Sequence, residues 1–116
     1  MYLITSYDPT KGIVTRLLNE KDKNKGLEFY YENIGCDLID IVRISRKTLI
    51  ICDDEGLLKR GNPIFSILLP NGEEFQIAGT FMIAKKDGAK TVGFNSLSDV
   101  SKHLSNIKIG IIGITD

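Results

Sequence analysis

The stretch "FQIAGTFMIAKKDGAKTVGF", residues 75–94, constrains the fold more than any other. Phe75, Ile77, Phe81 and Ile83 recur at even spacing, which is the period of a strand with one buried face. Gly79 lies among them and marks a bulge or a close approach of another backbone. Asp87-Gly88 is strong tight-turn chemistry, because such turns need residues that tolerate positive φ. "KTVGF" then returns antiparallel. A chain that carries this unit is committed to a sheet built from hairpins.

The remaining segments fit around that hairpin. "YLITSY" and "IVTRLL" flank the turn sequence "DPTKG" and read as an opening hairpin. "DLIDIVRIS" and "TLIIC" flank Arg46 and Lys47 and read as another. A helix is expected over about 24–34. Leu27, Tyr30, Tyr31 and Ile34 fall on one of its faces, with Asp22 or Asn24 as cap and Gly35 as the left-handed stop. That spacing leaves Phe29 exposed. A second helix is expected over about 97–106, opened by a Ser96–Asp99 capping box and buried through Leu97, Val100, Leu104 and Ile107. "PIFSILL" is expected as a short helix over 63–69, with Asn62 as N-cap and Pro63 in the first turn; an apolar strand is the alternative. "KIGIIGI" closes the sheet, its glycines permitting a bend or close packing. The expected class is α+β, a mainly antiparallel sheet with two helices, in a single domain spanning 1–116.

Charge and composition exclude several functions. Fifteen basic residues balance fifteen acidic ones, which disfavours nucleic-acid binding because little is gained from counterion release. Lys85, Lys86 and Lys90 still make a basic hairpin tip; a solvated turn is the first reading, and phosphate contact the sharper one. The start "MYLITSYDPTKG" has no signal-peptide character, and no apolar run is long enough to span a membrane. The cytoplasm is the expected compartment. Cys36 and Cys52 then read as reduced core residues, and with one histidine they leave zinc without its ligands. No cofactor is expected. His103 lies beside the apolar stripe of its helix, where solvation is favoured over catalysis, and no nucleophile motif accompanies it.

The segment "CDDEGLLKRGNP", residues 52–63, concentrates the charge. Asp53, Asp54 and Glu55 are consecutive, so in extended chain they alternate between faces and do not converge on a metal. The simpler reading is a turning loop at the end of a strand. On that reading Gly56 and Gly61 reverse the chain, Leu57 and Leu58 tuck against the core, and Lys59 and Arg60 stay wet.

"IGCDLIDIVRI", "LIICDDEGLLKRGNP" and "FQIAGTFMI" together resemble a domain-of-unknown-function family carried by phages, plasmids and other mobile elements of low-GC Gram-positive bacteria. Gly35, the run Ile39–Ile44, Glu55, Gly56, Leu57, Leu58, Asn62, Ile77 and Gly79 carry the resemblance, which covers about residues 34–84. Where that family has a small-residue run after the asparagine, this chain has "NPIF", which argues against a shared ligand pocket there. The resemblance implies a genomic setting and no reaction.

The expected function is therefore a non-catalytic binding module of a phage or mobile element that holds a host or element-encoded protein, with counter-defence as one form of action. The expected partner surface joins Asp53, Asp54, Glu55, Lys59 and Arg60 to Lys85 and Lys86 at the hairpin tip, because charges on rigidly held loops set partner choice. Self-association is left open. One alternative is a small-molecule or nucleotide binder with its pocket between the sheet and the 62–69 segment. The other is a metal-dependent phosphate enzyme using Asp53, Asp54 or Glu55 with Glu73 or Glu74.

Overall fold

The computed structural model describes residues 1–19 and 26–116. Among the described residues nine strands fall in two sheets, with two helices. In chain order they are β1 (Tyr2–Asp8), β2 (Gly12–Leu18), α1 (Leu27–Ile34), β3 (Ile39–Arg43), β4 (Thr48–Asp53), β5 (Pro63–Leu68), β6 (Glu74–Ala78), β7 (Phe81–Asp87), β8 (Lys90–Val92), α2 (Leu97–Leu104) and β9 (Lys108–Ile114). The larger sheet runs β2-β1-β7-β4-β3, with β8 extending beside β7, and the smaller runs β6-β5-β9. Every pairing is antiparallel. The α+β class and all three expected hairpins are present.

The larger sheet is covered on both faces, and its central strands show it. Residues 48–52 of β4 are all buried, so "TLIIC" is a continuous apolar run rather than an alternation. On one face Ile50, Cys52, Phe81 and Ile83 meet Phe65, Ile67 and Ile77 of the smaller sheet, and Val100 and Leu104 of α2 and Ile107 beyond it pack at the edge. The rings of Phe65 and Phe81 lock the two sheets edge to face, with centroids 5.1 Å apart. On the other face Ile4, Ile51, Met82 and Ala84 pack against Phe29, Ile34 and Cys36 from α1 and its exit.

Four local expectations change. Residues 63–68 form β5, not a helix. Phe65 and Ile67 are fully buried while their neighbours are not, a period of two, and β5 pairs on both sides with β6 and β9. Pro63 is tolerated as the first residue of the strand. Residues 75–83 are not one strand but two. Gly79, at φ +94°, turns the chain from the smaller sheet into the larger one, and its N–H donates to the Pro63 carbonyl. Both halves face the same core, which is why the even spacing survived the corner. Phe29 is buried against Tyr2, with ring centroids 5.2 Å apart, while Leu27 is exposed; the apolar stripe of this eight-residue helix lies further round than its spacing suggested. Leu97 of α2 is exposed as well, and no residue of that helix is fully buried.

The helix ends are clearer. Gly35 is left-handed and donates to Tyr31 O, closing α1. Asp22 and Asn24, the expected caps at its start, lie outside the described residues. Ser96 Oγ accepts from Asp99 N–H and opens α2. The Asp99 carboxylate reaches back to Asn95 N–H, one residue earlier than a capping box requires.

Candidate functional site: two opposite ends of the larger sheet

The expected surface divides into two. Thr48 at the start of β4 pairs with Lys85, whereas Asp53 at its far end pairs with Ile39. Five residues of strand separate these positions, about 16 Å at the usual rise. Asp53, Asp54, Glu55, Lys59 and Arg60 therefore lie at one end of the sheet, and Lys85 and Lys86 at the other.

At the first end, residues 53–62 form a tight and heavily bonded loop. Asp53 Oδ1 accepts from Glu55 N–H, and Asp53 Oδ2 lies 2.6 Å from Lys59 Nζ. The Asp53 side chain is only 6% exposed against 42% for Lys59, so this pair ties the loop down rather than offering two charges to a partner. The bond from Asp53 also raises the Lys59 pKa. Residues 56–58 make a single 3-10 turn. Gly56 is buried where any Cβ would sit 2.2 Å from the Ala78 carbonyl oxygen, so only glycine fits. Asn62 is not a helix cap: its Nδ2 donates to Gly56 O at 3.0 Å and holds the turn closed from below. Gly61 N–H donates to Thr115 O, and Asn62 N–H to Thr115 Oγ1, which staples the far side of the loop to the chain after β9.

This scaffold projects two leucines. Leu57 and Leu58, expected against the core, are 65% and 83% exposed. Gly56 takes the inward position of the turn, which forces its two successors outward. Asp54, Glu55 and Arg60 surround them and are exposed. Beneath the loop Cys36 and Cys52 are buried free thiols. Burial, reinforced by nearby carboxylates, pushes the Cys52 thiol up to about 12, and burial raises Cys36 as well.

The other end is a broad concavity of about 1290 Å³. The end of β3 and the β3–β4 turn contribute Arg43, Arg46 and Lys47, β7 contributes Lys85 and Lys86, and α2 contributes Lys102. Asp99 Oδ2 lies 2.6 Å from Lys85 Nζ, both side chains being 16% exposed, which docks α2 onto β7. Donation from Asn95 N–H, then Lys85, holds the Asp99 carboxyl below the usual carboxylate range. His103 is not a solvated flank residue. Its Nδ1 stands 2.9 Å from the Asp99 carbonyl and 3.3 Å from the Asp99 carboxylate, both acceptors, so Nδ1 carries the proton; its ring lies against Phe94.

The residues of the two alternative readings are placed as follows. The space expected between the sheet and residues 62–69 is filled by Phe65 and Ile67. Glu74 binds Ser66 Oγ, and Glu73 binds the Asn71 amide in the β5–β6 turn. Among the described residues no three metal-ligating side chains converge. No described helix is long and apolar enough to cross a membrane.

A family model described as "Domain of unknown function (DUF3846)" matches residues 4–106. The chain belongs to that family. The match runs from within β1 through β8 and both helices, well beyond the span over which the motifs suggest a relationship. No curated protein and no solved structure matches.

Proposed function

We propose that the chain is a cytosolic, non-catalytic protein-binding module of a phage or mobile element. It acts by holding a host or element-encoded protein, as in counter-defence, through the loop 53–62. The genomic setting rests on the motif resemblance. The binding surface rests on one observation: Leu57 and Leu58 stand in solvent on a loop that is already fixed. Two adjacent exposed leucines within a charged rim reproduce the apolar centre and polar edge of an interface, and a pre-ordered loop binds without the entropy cost of folding onto its partner. Asp54, Glu55 and Arg60 supply the rim and select among partners, whereas Lys59 is occupied by Asp53.

The test is affinity purification from host cells with the wild type and with Leu57→Ser/Leu58→Ser, after matched melts confirm that both fold. The expected result is a defined protein recovered at least about tenfold less by the variant, the loss of an apolar anchor pair. Equal recovery would place the partner elsewhere.

A further inference from the structure

We propose that the basic concavity at the Thr48 end of the larger sheet binds a nucleic-acid duplex through its phosphate backbone. Six cations line it, Arg43, Arg46, Lys47, Lys85, Lys86 and Lys102, against two carboxylates, Asp87 and Asp99. The whole chain is neutral, so this is a local concentration and not a reflection of composition. Three separate elements supply it, and they are held together. Lys86 N–H donates to Lys47 O at 2.8 Å, joining the two hairpin tips. Arg43 Nε donates to Ser45 O, and Asp99 ties the helix to Lys85. Asp99 neutralises Lys85; Arg43, Arg46, Lys47, Lys86 and Lys102 have no ion-pair partner among the described residues.

The lining identifies the class of ligand. Val92 is its one apolar side chain apart from lysine stems. Interfaces with proteins centre on a well-packed apolar and aromatic core, and Val92 alone cannot supply one. Protein–nucleic-acid interfaces are more polar and much more basic. The lining holds no phenylalanine, tyrosine or tryptophan, and its imidazole, His103, is already held by Asp99 and Phe94, which favours a duplex over a single strand. Contacts made only to phosphate carry no sequence information. This site is separate from the leucine loop and stands or falls independently of it.

The experiment is fluorescence anisotropy of the full chain with a labelled 20-base-pair DNA duplex, over about 50–200 mM salt. Binding should weaken about 150- to 500-fold across that range, with a log–log slope of about −3.6 to −4.5, as expected when four or five phosphates are neutralised. Arg46→Glu/Lys47→Glu should weaken binding at least about tenfold and flatten the slope by about 2. Both positions are exposed, so folding should survive. Lys11→Glu/Arg16→Glu, which makes the same change in net charge outside the concavity, should bind like the wild type. A single strand of equal length should bind more weakly, and polyglutamate of matched charge should not displace the duplex. No binding at 50 mM salt, equal loss in both charge-reversed variants, tighter binding of the single strand, or displacement by polyglutamate would each overturn the proposal.

Discussion

The two ends of β4 use charge in opposite ways. At the Asp53 end, Asp53 and Lys59 satisfy each other inside the loop, and two leucines, Leu57 and Leu58, face water within a rim of exposed charges. At the Thr48 end, cations from three elements face a shared space and almost no hydrocarbon is shown. A neutral total conceals both. The comparison teaches that charge content in a sequence is a poor guide to charged surface until the internal pairs are removed. Asp53 and Lys59 look like binding residues and act as scaffold, while Arg43 and Lys102 look like ordinary solvated residues and line a basic wall.

The comparison can be broken most forcefully at Gly56. Gly56→Ala drives a methyl group into the Ala78 carbonyl and should destabilise the protein by about 2–3 kcal/mol in urea unfolding, the usual cost of overpacking. A change under about 0.5 kcal/mol would mean that the loop is not seated on β6. Asn62 is the next lever. Asn62→Ala removes the bond to Gly56 O and should cost about 1–2 kcal/mol. Asn62→Asp should cost at least as much, because a carboxylate cannot donate to a carbonyl; a helix cap would have accepted that change almost without loss.

At the opposite end Asp99→Asn removes the ion pair that docks α2. The folded carboxyl titrates below its ordinary value, so its stabilisation is present above the unfolded pKa, about 4, and is lost as pH falls through the folded value. Thermal melts of wild type and variant should therefore differ most near neutrality and converge in acid. A constant gap at all pH values would contradict the ion pair. The thiols offer a smaller and purely local readout. Cys52, pushed up to about 12, and buried Cys36 should resist alkylation in the native protein at pH 8 and label fully once unfolded. Smallest of all, Leu58→Ser should change stability by less than about 0.5 kcal/mol, because the side chain it removes is already in solvent.

Much of this fold is legible in the sequence, and the failures have physical causes. The three hairpins follow from Asp8-Pro9, Asp87-Gly88 and the β-branched runs, because turn chemistry and strand pattern agree there. Residues 63–68 mislead because Asn-Pro is a good helix opening, and only pairing with neighbouring β6 and with β9, far along the chain, decides for a strand. Phe29 misled because a helix of eight residues has too few turns to fix its buried face by spacing. The loop 53–62 was recognised as a turn, yet its outward leucines follow from Gly56 meeting Ala78, a contact that no local pattern announces. For the basic concavity, "RISRK" and "KKDG" were visible as two hairpin tips. Their adjacency depends on β4 pairing with β7.

The central claim is that loop 53–62 is a rigid platform before any partner arrives, and native-state amide hydrogen exchange of the free protein tests it most directly. The amides of Leu58, Gly61 and Asn62 are bonded to Glu55 O, Thr115 O and Thr115 Oγ1. They should exchange more than about 100-fold slower than in an unstructured chain, an opening free energy of about 3 kcal/mol. Exchange at unstructured rates at these three amides, with β4 and β7 still protected, would contradict the account.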